Sequence, residues 1–169
     1  MPNPSSQADW ITGNTAIEAS RRGLRISKDP AIADALLEGA EPTTATLVER
    51  LDKPGVAYYL VLWDIGVRHA IIVQVDALTG VTLEFILLTK DTSLPFLEDK
   101  EAAEYITDIF PGRAISKLRL VWEPCQESTS PMYPLFEVQV NGIIVYVRMD
   151  GFVHHRLTPL GFGGGDFCF

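Results

Sequence analysis

The sequence predicts an α+β fold made of two successive units, each a helical region followed by an antiparallel sheet, with the helices packed on one sheet face. Helical spacing of apolar residues occurs twice, and alternating spacing follows it each time. Asn-Gly and Asp-Gly turns separate the last strands, as expected for hairpins. The chain has 169 residues, 47% apolar and 21% charged, which is the composition of a globular protein with a real core.

The first helical region ends at Gly39, which can adopt the left-handed conformation that stops a helix. Asn14 or Thr15 can cap a first helix, and Gly23 is read as its stop. Asp29 can cap a second helix that has a proline in its first turn. Two short helices are therefore expected before the first strand.

Four strands are predicted in the first unit, at 45–51, 56–63, 70–76 and 81–88. Gly80 supplies a positive φ for the turn before the last of them. Alternate residues of that strand share one face, which we expect to be core: Val81, Leu83, Phe85 and Leu87. A second alternating apolar set indicates that both faces of this sheet are partly covered: Tyr58, Leu60, Leu62, Ile86 and Leu88.

The second unit repeats this order of elements. Apolar residues at three- and four-residue spacing predict a helix over 98–112, which Pro111-Gly112 ends. Strands follow at 114–122, 133–140, 143–149 and 152–157, with a long polar loop between the first two. The chain therefore divides into an N-terminal segment and two units that precede a glycine-rich tail: 1–29, 30–97, 98–160 and 161–169.

The two units align with each other at their third strands, without gaps. Ile71 matches Val145, and Asp76 matches Asp150 at the following turn. Duplication explains the shared order and spacing, and chance similarity between β-rich segments is the alternative.

The segment YYLVLWDIGVRHAIIVQVDALTGVTLEF resembles the core of a PepSY-type repeat, and FEVQVNGIIVYVRMDGFVHHRL resembles it less closely. The matching residues are Val73, Val75, Asp76, Thr79 and Gly80, with Asp150-Gly151 at the corresponding turn of the second unit. The resemblance implies a small α+β binding module of a type associated with regulating or inhibiting peptidases.

Charge and hydropathy limit the partners. The net charge is −8, with 22 acids against 14 bases, so nucleic acid and anionic membranes are not expected as partners. The apolar stretches are as long as strands, whereas a membrane span needs roughly 20 residues. We see no secretory signal, and we expect a cytoplasmic protein whose cysteines, Cys125 and Cys168, are free thiols.

A reactive thiol is the strongest catalytic candidate, with Cys125 served by His154 or His155. Glu123 and Glu127 argue against it, because nearby negative charge raises the pKa of a thiol. The sequence therefore predicts no catalytic residue and no enzyme.

A metal site could combine His154 and His155 with His69 or Cys125. Adjacent residues on a strand point to opposite faces, so the two neighbouring histidines would not bind one ion. We predict no metal and no cofactor.

The possible partner-binding residues lie in two places. The loop EPCQESTSPMYP contributes Cys125, Ser130, Met132 and Tyr133, and the glycine-rich tail contributes Phe167 and Phe169. The alternatives are an ordinary hairpin connection and a flexible tether.

The leading hypothesis is a non-catalytic cytosolic module that binds or regulates another protein, such as a peptidase. One alternative is a homo-oligomer, for example a homodimer. It would have a structural role or would bind a small ligand in an apolar pocket between helix and sheet. A second alternative is a thiol enzyme that uses Cys125.

Overall fold

The computed structural model describes residues 9–89 and 99–161. Within these ranges the chain forms three helices and one eight-stranded sheet, so the predicted α+β class is confirmed. The helices are α1 (Gly13–Arg25), α2 (Pro30–Leu37) and α3 (Asp99–Ile109). The strands are β1 (Glu41–Arg50), β2 (Ala57–Ile65), β3 (Arg68–Asp76), β4 (Thr82–Leu87), β5 (Ile115–Trp122), β6 (Leu135–Val140), β7 (Ile143–Val147) and β8 (Val153–His154).

The strands are ordered β4-β3-β2-β1-β5-β6-β7-β8 across the sheet. Each half is an antiparallel meander, and the two meanders meet where β1 runs parallel to β5. The paired residues at this junction are Val48 with Leu120, Glu49 with Val121, and Arg50 with Trp122. One continuous sheet therefore crosses the boundary between the two predicted units, whose origin by duplication stays a prediction.

Helix α1 begins and ends differently from the prediction. Thr12 is its N-cap, and the Thr12 side chain accepts a hydrogen bond from the Thr15 backbone N–H at 3.2 Å. The helix also continues through Gly23 to Arg25. Gly23 is therefore an interior residue of the helix, where it has a packing role described below.

Helix α2 follows its predicted pattern. The Asp29 carboxylate accepts a hydrogen bond from the Ala31 N–H at 2.9 Å, and Pro30 lies in the first turn. Gly39 follows the helix with a φ of +93°, a conformation that disfavours any residue with a Cβ.

The helices pack on both faces of the sheet, which corrects the prediction that they share one. Helices α1 and α2 cover the first face, where the odd-numbered residues of β2 and β3 lie, among them Val61 and Ile71. Helix α3 covers the second face, where Leu60 and Ile72 lie. The central strands are apolar on both sides, so each face needs its own cover.

Helix α3 packs against both halves of the sheet. Its Ile106 is fully buried in a cluster with Leu60 of the first meander and with Leu120 and Phe136 of the second. The second face of the sheet therefore has one core that crosses the β1–β5 junction.

Strand β4 lies at the edge of the sheet, and its predicted core face is largely exposed. Val81, Leu83 and Leu87 are 56%, 54% and 42% exposed, and of the four only Phe85 is partly buried, against the core of the first face. A bulge in the β3–β4 pairing places Thr82 opposite Val75 and breaks the simple alternation. The prediction that this face belongs to the core is therefore wrong for Val81, Leu83 and Leu87 and holds in part for Phe85.

We expect the Ile106→Ala variant to lose about 2–5 kcal/mol of unfolding free energy, because it leaves a cavity in a core shared by both halves. Chemical denaturation followed by circular dichroism measures this loss. Asp108→Ala, at an exposed position of α3, is the control and should change the free energy by less than about 0.5 kcal/mol. Two separate unfolding transitions in the wild type would contradict the shared core.

Candidate partner-binding groove

An open groove of about 470 Å³ lies between the C-terminal end of α1 and the edge strand β4. Its lining residues are Gly23, Ile26, Ser27, Thr82, Leu83, Glu84 and Phe85. Ile26 is 82% exposed, so a large apolar side chain stands at the helix side of the groove with little protein around it. The groove therefore offers apolar contact area to another molecule.

Gly23 allows α1 to approach β4 closely enough to form this groove. A Cβ atom on Gly23 would overlap Thr82 Oγ1 and would lie 2.7 Å from Thr82 Cβ. The Thr82 hydroxyl donates a hydrogen bond to the Ala19 carbonyl at 3.2 Å, which holds the strand against the helix. The glycine that the sequence suggests as a stop is thus the contact point between helix and strand.

Among the described residues, the outer edge of β4 has backbone groups without a pairing partner. The Leu88 N–H donates to the Ala70 carbonyl at 2.8 Å, toward β3. Because alternate residues of a strand direct their N–H groups to the same side, those of Phe85 and Leu87 point away from β3. No strand of residues 9–89 and 99–161 pairs with this outer edge, and β4 has no lysine or proline of the kind that protects exposed edges.

Basic residues lie close in sequence to Ile26 and Ser27, which line the helix side of the groove. Arg22, Arg25 and Lys28 are exposed, and no acid of the described chain lies within ion-pair distance of them. Arg22 lies one helical turn before Ile26, the C-cap of α1, so the two residues are neighbours on the surface at the end of the helix. Arg21, in contrast, forms an ion pair with Glu41 at 2.8 Å. We call Arg22, Arg25 and Lys28 the basic rim of the groove.

The loop between β5 and β6 does not present the surface that the sequence suggests. Cys125 is fully buried and Met132 is 1% exposed, so the expectation that these two side chains contact a partner has to be corrected. Tyr133 is 45% exposed, and its partner-binding role stays a prediction. Ser130 is partly buried and accepts a hydrogen bond from the Met132 N–H at 3.2 Å. Phe167 and Phe169 lie outside the described residues.

This loop folds back onto the sheet because buried polar groups hold it there. The Tyr58 hydroxyl, on β2, donates to the Pro131 carbonyl at 2.7 Å. The Ser128 hydroxyl lies 2.5 Å from the Tyr133 carbonyl. Together these bonds place Met132 in the core beneath α3.

The environment of Cys125 is poor for nucleophilic catalysis. Burial raises the pKa of its thiol, and the nearby Glu127 carboxylate adds to the increase. The hydrogen-bond partner of the sulfur is the Ser128 carbonyl at 3.7 Å, and no hydrogen bond of the described chain joins the sulfur to His154 or His155.

The histidines do not assemble into a metal site in the part of the chain that the structure describes. No group of three or more His, Cys, Asp or Glu side chains within residues 9–89 and 99–161 could hold an ion. His69 instead pairs with Asp64 at 2.8 Å between Nδ1 and Oδ1. His154 Nε2 is buried and has no hydrogen-bond partner among the described residues.

Comparison of the chain with family models, with curated proteins and with solved structures finds no match. The resemblance to PepSY-type repeats therefore stays a prediction. Among the described helices, none combines the length and the apolar character that crossing a membrane requires.

We expect Gly23→Ala to lower the unfolding free energy by about 1–3 kcal/mol, since the added methyl group overlaps Thr82. The sign of the change distinguishes the two effects. Helix propensity alone would make the alanine variant more stable by about 1 kcal/mol, whereas overlap with Thr82 makes it less stable. Gly13→Ala is the matched control, since its Cβ would lie 3.6 Å from Ala45 Cβ, an ordinary contact. Urea denaturation measures both variants, and a stabilised Gly23→Ala protein would refute the close approach.

We expect Cys125 to resist alkylation at neutral pH in the native protein. A Cys168→Ser variant leaves Cys125 as the remaining thiol of the chain. Because the reagent must wait for local opening, alkylation should be on the order of a hundredfold slower than in denaturant. Mass spectrometry at timed intervals measures the rate, and rapid native modification would revive the thiol-enzyme alternative.

Proposed function

We propose that this chain is a non-catalytic protein-binding module that takes up an extended segment of another protein as an added strand along β4. The observation that carries the proposal is the outer edge of β4, which pairs with no strand of residues 9–89 and 99–161 and lies beside an apolar groove. Strand addition of this kind is a recurring mode of peptide recognition, in which backbone hydrogen bonds supply affinity.

The groove gives the added strand a place for its side chains. Alternate residues of an extended peptide point to the same side, so every second side chain would lie over the first face of the sheet. There they meet Ile26, Leu83 and Phe85, whose apolar surface is accessible from the groove. Contacts in the groove therefore allow the protein to distinguish between peptide sequences, which backbone pairing alone would not do.

The surroundings of the thiol also favour a binding role over catalysis. Cys125 is buried and its pKa is raised, so a substrate would need the loop to open before meeting a thiolate. Among the described residues that line the groove, Glu84 is the one ionisable residue, which leaves little for acid–base chemistry there. A peptidase, suggested by the PepSY-type resemblance, is one partner that the module could regulate through a strand of its own.

The test uses short random peptides displayed on phage and selected against the purified chain. We expect selected peptides to bind about tenfold more weakly to Leu87→Pro than to the wild type. Proline removes the outward N–H of Leu87, and one such bond contributes about 1 kcal/mol, to which crowding by the ring adds. Fluorescence anisotropy with labelled synthetic peptides measures the affinity.

The matched control is Leu87→Thr, which keeps the N–H group at the same exposed position. It should bind within about threefold of the wild type. Proline is tolerated on edge strands when its nitrogen faces solvent, so both variants should fold, as checked by circular dichroism. Peptides that bind Leu87→Pro as well as wild type would count against strand addition at β4.

A further inference from the structure

We infer that the strand taken up at β4 comes from an acidic segment in which apolar and acidic residues alternate. This inference rests on the proposed function and names the class of partner. The observation behind it is the basic rim beside the groove, whereas the proposed function is based on the outer edge of β4.

The basic rim is a local exception in an acidic protein. The chain has a net charge of −8, yet Arg22, Arg25 and Lys28 are exposed and have no acidic partner in the described chain. At physiological ionic strength exposed charges act over roughly 8 Å, so the charges nearest to the groove dominate the electrostatic potential that a ligand meets there. Carboxylates on the ligand would therefore be attracted at this edge.

Glu84 is the one acid among the described residues that line the groove, and its side chain is directed away from the basic rim. Pairing with β3 places Glu84 opposite Gln74, which lies on the second face of the sheet. The basic rim belongs to α1, which packs on the first face. The carboxylate and the rim are thus on opposite sides of the sheet.

The apolar half of the pattern follows from the groove. Ile26 and Phe85 offer apolar surface on the first face, so side chains of the ligand that point into the groove should be apolar. The acids are expected at the ligand positions nearest Arg22 and Lys28, where they remain in contact with water. An alternating segment satisfies both requirements with one extended backbone.

A second copy of this chain fits the edge less well. Antiparallel pairing of two β4 strands about a two-fold axis normal to the sheet would bring both α1 helices onto the same side of the junction. Each helix would bring its own basic rim, so like charges would face one another. The acidic side chains of a strand from another protein would instead be attracted to the basic rim.

The experiment uses the peptide selection described above and compares the selected sequences with the starting library. We expect enrichment of Asp and Glu alternating with apolar residues. A triple variant, Arg22→Glu, Arg25→Glu and Lys28→Glu, should bind a selected acidic peptide at least about tenfold more weakly at low salt. Raising the salt concentration should weaken wild-type binding and reduce the difference between the two proteins.

A second triple variant controls for net charge. Lys53→Glu, Arg113→Glu and Arg156→Glu make the same total change at exposed positions on other parts of the chain. We expect this control to bind the acidic peptide within about threefold of the wild type. Circular dichroism and thermal melting are used to check that both triple variants fold.

The outcomes separate the two proposals. Peptides that require the Leu87 N–H but carry no excess of acids, and that bind the rim variant normally, would overturn the acidic class and leave strand addition standing. An absence of peptides sensitive to Leu87→Pro would overturn both. Concentration-dependent dimers in sedimentation that disappear in Leu87→Pro would identify a second copy as the occupant and overturn the acidic partner.

Discussion

The parallel pairing of β1 with β5 is the interaction on which the rest of the architecture depends. It is short, and contacts around it reinforce it: the Leu51 N–H donates to the Trp122 carbonyl at 3.0 Å, and Arg119 forms ion pairs with Glu49 and Glu137. Parallel neighbours need a long crossover, and the chain between β4 and β5 carries α3 onto the second face. Because both meanders grow outward from this pair, their last strands, β4 and β8, become the edges of the sheet.

Local signals in the sequence account for much of the fold. Turns at Asn141-Gly142 and Asp150-Gly151, the cap at Asp29 and the apolar periodicity of α3 all predict elements that the structure contains. The face covered by each helix could not be predicted, since β2 is apolar on both sides and its pattern fits a helix on either. The crossover between the meanders determines which face α3 covers. The path of this crossover depends on the pairing of β1 with β5, whose residues are far apart in the chain.

The candidate site was harder to predict for the same reason. A loop rich in Ser, Thr and Pro is typical of an exposed connection, but Met132 is buried because Tyr58, far away in sequence, holds the Pro131 carbonyl. The groove depends on Gly23, whose role is visible only when Thr82 is placed beside it. Two features of the sequence could have indicated a binding edge at β4. The strand is apolar on both faces, and it is the last strand of a meander.

The central position of β1 has a consequence for how the chain folds as it leaves the ribosome. The first meander can pair as soon as its four strands have been made, but β1 then has an open edge until β5 is synthesised. Over the same interval Leu60 and Leu62 lack the cover that α3 later provides. Until β5 and α3 are made, the nascent N-terminal half thus exposes the β1 edge and an apolar face, which are features that favour aggregation and chaperone binding.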